Sequence, residues 1–234
     1  MPPLRRKRIV VLTGAGISAE SGLATFRAAE GGLWENHRLE DVATPEAFAR
    51  DPALVHRFYN MRRAAALGAQ PNAAHFALAD LARAHDLTLV TQNVDDLHEK
   101  AGSPEVIHMH GALSGALCAA CNHRWKSAAE MDTQTACPSC GAAAARPDIV
   151  WFGEMPYQME RIWDAIEAAD LFAAIGTSGH VYPAAGFAQH AARSGAHCVE
   201  LNLEPSQNAR DFHEHRGGKA SAIVPEWVAE LTRP

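Results

Sequence analysis

Four of the five cysteines fall in two tight pairs, Cys118-Ala119-Ala120-Cys121 and Cys137-Pro138-Ser139-Cys140, with 15 residues between them. Each C-x2-C pair places two thiolates on one side of a tight knuckle, and Zn2+ takes four such soft ligands as a tetrahedron. Free or redox-active thiols are the alternative. A site closed by four cysteines keeps no open coordination position, so one zinc per chain at Cys118, Cys121, Cys137 and Cys140 would do structural work. The fifth, Cys198, lies in the apolar run 197–203 and reads as a small buried hydrophobe in a strand. An odd count also argues against a disulfide framework.

A second constellation sits near the N-terminus. Arg8-Ile9-Val10-Val11-Leu12 leads into Thr13-Gly14-Ala15-Gly16-Ile17-Ser18-Ala19, an apolar strand running into a G-x-G-x-x-A turn. Glycines there allow a tight turn and close backbone approach to a pyrophosphate, and a following helix would offer free N–H groups and its positive end. The alternative is a plain strand–helix turn. A dehydrogenase would add an acidic residue about 20 positions on, at the end of a second strand. Glu35, Glu40 and Asp41 are available, but Trp34-Glu35-Asn36-His37-Arg38 does not read as a strand.

Thirteen histidines give no reason to choose one by type alone. His110 stands out by context, in Ile107-His108-Met109-His110-Gly111 between a strand and the cysteine insert. A histidine near neutral pKa suits general-base work. Gln92-Asn93-Val94-Asp95 offers amides and a carboxylate at another strand tip; a capping role for Asp95 or Asp96 at 97–101 is the alternative.

The elements that must position these groups are short apolar runs ending in polar or glycine-rich turns: 9–12, 88–90, 171–175 and 198–201. Helical stretches are expected at 45–67, 72–85, 158–169 and 184–194. Alternation of this kind predicts an α/β fold, a Rossmann-like parallel sheet with helices on both faces. Ligands in such sheets bind beyond the carboxyl ends of the strands, where the polar tips lie. Two stretches break the alternation and imply a small zinc-binding and helical domain. The expected division is a Rossmann-like domain from 1–35, 71–113 and 147–234, a helical part at 36–70 and a zinc module at 114–146.

The chain has 234 residues, 47% of them hydrophobic and 21% charged, with a net charge of -6. That composition is globular and gives little reason to expect the basic face of a nucleic-acid binder. No apolar run reaches the length of a membrane span, and 9–12 is too short for a signal-peptide core. A cytoplasmic location is expected.

Taken together, the segments resemble the sirtuins, most closely bacterial CobB-type deacylases. The matching stretches are Gly14-Ala15-Gly16-Ile17-Ser18-Ala19-Glu20-Ser21-Gly22, Thr25-Phe26-Arg27, Thr91-Gln92-Asn93-Val94-Asp95, His108-Met109-His110-Gly111, Val150-Trp151-Phe152-Gly153-Glu154, Gly176-Thr177-Ser178 and Asn202-Leu203-Glu204. The resemblance implies that NAD is consumed as a co-substrate in a cleft between the two domains. Gly14, Ala15, Gly16, Ser18, Glu20, Thr25, Phe26, Arg27 and Trp34 would belong to the phosphate, ribose and nicotinamide side. Gln92, Asn93, Val94 and Asp95 would line the nicotinamide pocket. Gly176, Thr177, Ser178, Asn202, Leu203, Glu204 and Ala220 would hold the adenosine half. His110 and Asn93 would be catalytic, His110 as the base on a ribose hydroxyl after the acyl-lysine amide oxygen displaces nicotinamide from C1′. The implied products are nicotinamide, O-acyl-ADP-ribose and free lysine.

The same resemblance implies that an acylated-lysine protein or peptide pairs as an extra strand, with Val150, Phe152, Gly153, Glu154 and Val181 on the substrate side. Phe58-Tyr59-Asn60-Met61-Arg62 resembles the Tyr-x-x-Arg pattern of desuccinylases. Three positions apart on a helix share a face, so Tyr59 and Arg62 could meet one ligand carboxylate; a solvated arginine is the alternative. Deacetylation together with desuccinylation or demalonylation is therefore expected, by a monomer with no nucleic-acid or membrane partner. Ala24 and Asp96 depart from the family pattern, where proline and asparagine are usual. A dehydrogenase, an ADP-ribosyltransferase and a zinc-ribbon nucleic-acid binder are the rival readings.

Overall fold

The computed structural model describes residues 6–23, 37–127 and 130–233. Ala24, Thr25, Phe26, Arg27 and Trp34, all named above, lie outside the described residues. The main sheet has six strands in the order β3-β2-β1-β7-β8-β9. They are β1 (Arg8–Thr13), β2 (Asp86–Thr91), β3 (Ile107–His108), β7 (Leu171–Ile175), β8 (His197–Asn202) and β9 (Glu214–Gly217). Every pairing is parallel. The four apolar runs read from the sequence are thus strands; β7 matches its run, and the other three extend two or three residues beyond theirs.

Alternation along the strands separates two cores. Ile9, Val11, Leu89, Ala173 and Val199 face α5 (Ala73–Ala84) and α9 (Ala220–Thr232), meeting Leu78, Leu81, Val224 and Trp227. Val10, Leu12, Val90, Phe172 and Cys198 face α7 (Met159–Glu167) and α8 (Phe187–Arg193), meeting Ile162, Ile166 and Phe187. A parallel sheet covered on both faces needs apolar side chains on both, so its strands carry continuous apolar runs. Cys198 is fully buried, and burial pushes its thiol up to about 11.

The expected helix at 45–67 is two helices, α3 (Pro45–Arg50) and α4 (Pro52–Gly68). The break is chemical. Asp51 accepts from the Leu54 N–H at 2.9 Å as an N-cap, and Pro52 occupies the first turn where no amide hydrogen is needed. With α2 (Leu39–Val42), these helices bury Val42, Ala47, Val55, Phe58 and Tyr59 against Leu113, Ile149 and Trp151. Leu113 and Ile149 belong to a second, antiparallel sheet of β4 (Gly111–Cys118), β5 (Arg124–Lys126) and β6 (Ala145–Ile149), in the order β5-β4-β6. Its ends reach beyond the 114–146 insert expected from composition, because β4 starts directly after His110. Asn60 ties the lobes' parts together, giving Nδ2–H to the Met131 carbonyl at 2.8 Å and taking the Met131 N–H at 3.1 Å.

At the sheet's centre, between parallel β1 and β7, the strand order reverses: β2 and β3 follow on one side, β8 and β9 on the other. Here backbone packs on backbone. Gly14 and Gly16 lie against Gly176, whose φ is +64°, and a Cβ on Gly176 would sit 2.4 Å from the Ile17 nitrogen. A Gly176→Ala variant is expected to lose about 2 kcal/mol or more, from the left-handed backbone alone plus the clash. For a domain of this size that lowers Tm by about 4–8 °C. Thermal denaturation checks it; an unchanged Tm would show that the crossing tolerates a side chain.

Candidate active-site cleft

A cleft of about 650 Å3 opens at the carboxyl edge of the main sheet and runs toward the small lobe. That volume lies within the range of ligand pockets. Every described residue assigned above to the NAD or substrate side lines it, including His110, Tyr59 and Arg62. Sequence reasoning did not single out Ala43, Ala65, Ala66, Leu113 or Trp151, which form the wall toward the small lobe. Trp151 was legible within its motif; alanines carry no local signal.

The glycine-rich turn differs from a nucleotide-binding helix start. α1 (Ala15–Ser18) is a single turn continued by the 3-10 turn Ala19–Ser21, so it has little macrodipole. The Gly16 N–H donates to the Gly176 carbonyl at 2.9 Å. The turn therefore offers close backbone approach more than a dipole. Glu20 does a separate job as well: its Oε2 accepts the Ser221 N–H at 3.0 Å, which holds the carboxyl below its usual range and caps α9 from outside.

The loop after β2 is held from below by a polar chain. The Thr13 hydroxyl donates to Thr91 Oγ1 at 2.8 Å, and Thr91 Oγ1 accepts the Asn93 N–H at 3.0 Å. The Asn93 amide donates to the Gly14 carbonyl and to Ser18 Oγ, both at 3.1 Å. Ser18 in turn donates to Asp95 Oδ2 at 3.2 Å, while Asp95 Oδ1 accepts the Leu97 N–H at 3.1 Å. Burial raises the Asp95 pKa above the ordinary carboxylate range despite these donors. Asp95 thus lines the cleft and also takes the first amide of α6 (Leu97–Lys100), whose N-cap residue, Asp96, makes no side-chain cap bond of its own. Asp96 turns to Lys100 at 2.9 Å, and that ammonium also binds the Ala66 carbonyl at the end of α4. The departure from asparagine at 96 thus serves the contact between loop and small lobe.

His110 is half-buried on the cleft wall. Its Nδ1 lies 3.1 Å from the Gln92 carbonyl, which can only accept, so Nδ1 carries the hydrogen and Nε2 keeps its lone pair. Burial lowers its pKa below the ordinary value, outweighing the Gln92 bond. A neutral imidazole of fixed tautomer is the form a general base needs.

On the opposite lip, Glu154 is committed to structure. Arg146 holds it by two bonds of 2.7 and 2.9 Å, and the Trp151 N–H adds a third. Burial would raise that carboxyl, but the Arg146 bonds hold it low. Phe152 donates its N–H to the Ala43 carbonyl, so this segment is fixed to the small lobe. Gly153 (φ +89°) lies in one cleft-lining loop and Gly179 (φ +72°) in another, beside the cleft-lining Ser178, Val181 and Tyr182. Deeper in, Tyr59 is buried and its oxygen accepts from Trp151 Nε1 at 2.9 Å; burial pushes its pKa up to about 12. The Arg62 guanidinium lies 6.0 Å from the Tyr59 ring centre, so the shared helix face is real.

The adenosine-side candidates gather at the tips of β7 and β8. Asn202 donates to the Thr177 carbonyl at 2.8 Å and to the buried Glu200 at 3.0 Å. Leu203 is 70% exposed, an apolar side chain left open at the cleft mouth.

The four cysteine sulfurs lie within 4.8 Å of one another, with Cys118–Cys140 and Cys121–Cys137 at 3.7 Å. A tetrahedron of Zn–S bonds near 2.3 Å has edges of about 3.8 Å, so the donor set fits zinc. The two knuckles repeat one geometry. Ala120 and Ser139 point their N–H groups at Cys118 and Cys137 Sγ, both at 3.4 Å, and Asn122 and Gly141 follow with φ of +60° and +75°.

A Rossmann-like sheet, a four-cysteine lobe and a cleft that runs between them past His110 define a two-lobed α/β protein with a large ligand site. The Sir2 family description matches residues 14–183, and the chain belongs to that family. It is 54% identical over 235 aligned positions to a protein of Escherichia coli O6:H1 named NAD-dependent protein deacylase, covering 98% of this chain and 86% of that one. A Sir2 homologue solved as an NAD complex superposes with a TM-score of 0.87 at 40% identity, covering 95% and 88% of the two chains. A Sir2 protein solved with a myristoylated histone peptide gives 0.73 at 30% identity, covering 95% and 90%.

Two outcomes are expected. Metal analysis should find about one zinc per chain, and a strong chelator should lower Tm because such binding is coupled to folding. Metal-free protein with unchanged melting would contradict the site. The activity that depends on neutral His110 should be present above its depressed pKa and fall as pH drops through it. Its acid limb should therefore lie below about 6.5, the ordinary histidine value; a limb above 6.5 would remove this assignment.

Proposed function

We propose that this chain is an NAD-dependent protein lysine deacylase that removes acetyl groups and also succinyl and malonyl groups. His110 carries the reading: a neutral histidine of fixed tautomer on the wall of a cleft whose other walls are the glycine turn and the Tyr59–Arg62 face. NAD would supply an electrophilic ribose carbon once bound. The protein would hold its nicotinamide end beside Gln92, Asn93 and Asp95 and its adenosine end beside Gly176 to Ser178 and Asn202 to Glu204. His110 Nε2 would take the proton of a ribose hydroxyl, and the closed lip would keep water from the reacting carbon. The acylated peptide would lie between the Gly153 and Gly179 loops, paired through main chain and so tolerant of sequence.

The acyl preference follows from charge. A succinyl or malonyl carboxylate buried without partners would be costly. Arg62 supplies a fork of donors, and neutral Tyr59, its oxygen already accepting from Trp151, keeps its hydroxyl proton to donate. The division into a Rossmann-like domain, a helical part and a zinc module belongs to the same reading, as do a cytoplasmic location and action as a monomer. No described helix is long and apolar enough to cross a membrane.

Incubation with NAD and a panel of acyl-lysine peptides, followed by mass spectrometry, tests the activity. Nicotinamide and O-acyl-ADP-ribose are expected, and His110→Tyr should abolish both while the fold survives. Label passing from NAD to protein would favour an ADP-ribosyltransferase. A hydrogen bond to a charged group is worth roughly 1.5–3 kcal/mol, so Arg62→Met should cut desuccinylation by at least about tenfold. Deacetylation should fall far less. Equal losses on both substrates would leave Arg62 a structural residue.

A further inference from the structure

A second histidine stands two residues before His110, and the functional reading leaves it without a task. His108 Nδ1 lies 3.2 Å from the Asn93 carbonyl, and its Nε2 lies 2.7 Å from Glu99 Oε1. Both partners can only accept, so both ring nitrogens carry hydrogen. We propose that His108, held as an imidazolium by Glu99, is a positioning residue that clamps the Asn93 carbonyl and thereby sets the 92–95 loop on the cleft wall. The inference rests on the deacylase reading for its effect on turnover, but not for the charge of the ring.

The geometry makes the clamp specific. Asn93 is held at its N–H by Thr91 and at its side chain by Gly14 and Ser18. His108 holds its remaining backbone group, the carbonyl. His110 does the same to the preceding carbonyl, that of Gln92. Two histidines on one side of one strand extension thus grip two successive peptide groups of the loop. Their chemistry diverges because only His108 has an acid beside it. His108 shows 16% of its side chain to solvent and Glu99 44%. Burial alone would lower the His108 pKa, but the Glu99 bond and charge outweigh it and hold the ring above its ordinary value. The titratable groups around the pair are Asp95 on the loop, His98 on α6 and Lys126 on β5. Asp95 favours the imidazolium; burial keeps the His98 ring neutral, and Lys126 stabilises the Glu99 carboxylate.

The sign of the pH dependence follows. A raised histidine pKa means that the clamp is complete at low pH and is lost as pH rises through that value. One of the two donors then disappears, and the Asn93 carbonyl or Glu99 loses its partner. His110 would therefore set the acid limb of the pH–activity profile and His108 the alkaline limb.

Imidazole 15N NMR on the full zinc-loaded chain reads the ring directly. Both His108 nitrogens are expected to be protonated at pH 7, and a neutral ring there would overturn the proposal. Glu99→Gln keeps the shape and removes the charge. Its alkaline limb, followed by nicotinamide release, should move to lower pH by about one unit, the low end of what a neighbouring opposite charge contributes. The ratio of variant to wild-type turnover should accordingly fall by up to about tenfold between pH 6 and pH 8, with kcat affected more than the peptide KM. His108→Gln, whose amide still donates but does not titrate, should lose the alkaline limb altogether. Superimposable limbs for Glu99→Gln and wild type would overturn the clamp. A wild-type chain that released no nicotinamide from any acyl peptide would instead sink the deacylase reading, while the NMR titration would still decide the charge of His108.

Discussion

A close backbone contact, Gly14 and Gly16 against Gly176, sets where everything else can stand. β1 and β7 are parallel neighbours, and both end at the same level of the sheet. Their following loops would collide if either carried side chains at the crossing. Absence of Cβ atoms lets the two loops bond to each other, Gly14 N–H to Ile175 and Gly16 N–H to Gly176. The ladder then continues past the sheet. The Gln92 N–H meets Thr13, the Gly176 N–H meets Leu201, and the Gly218 N–H meets Asn202. Each loop thus begins in register with the last carbonyl of its neighbour. Four loops from distant parts of the chain share one edge because the sheet's own bonding pattern extends into them.

An edge built this way would leave many polar groups facing a cleft that must exclude water. The structure meets that demand by pairing them internally before any ligand arrives. Thr13, Thr91, Asn93, Ser18 and Asp95 form one connected set, and each member is buried. Buried polar groups cost little only when satisfied, and satisfied networks fix geometry. The same burial that demands partners also tunes charge. It raises Asp95, lowers His110, and would lower His108 were Glu99 not beside it. Three ionisable groups within one loop and one strand extension are thereby held in three different electrostatic settings.

Much of this could be read from residue order, and the parts that could not share a cause. The parallel sheet was legible because strands covered on both faces must be apolar throughout. The cleft was legible because its polar tips follow those runs directly. The zinc staple was legible in spacing alone. α9 was not expected, since Pro225 sits inside it where a helix should break, yet Val224, Trp227 and Val228 bury against α5 and override the local penalty. The split of 45–67 was missed although Asp51-Pro52 encodes it, because the apolar pattern continues across the break. His108 was visible inside a motif but silent in role. Its meaning depends on Glu99, and nine residues of separation say nothing about an approach of 2.7 Å.

The small lobe is where local sequence carries least and tertiary bonds carry most. Alanines dominate its cleft-side wall, and β5 is only three residues long. Its apolar core, Val42 to Tyr59 against Leu113, Ile149 and Trp151, lies at one end and leaves the cysteine end with only the small cluster of Ala116, Met131 and Ala145. The lobe is held also at discrete points: the four cysteines at one end, Asn60 and Met131 in the middle, and Arg63 bonded to the Leu113 carbonyl at 2.7 Å. Arg146 completes the set by gripping Glu154 while its guanidinium lies 3.6 Å over the Trp151 ring, which also bonds Tyr59. The 150–154 lip and the helix that bears Tyr59 and Arg62 are therefore joined through the Trp151 indole. Under the proposed reading, a shift of the lip would move the tyrosine with it, and acyl recognition deep in the cleft would be coupled to peptide docking at its mouth.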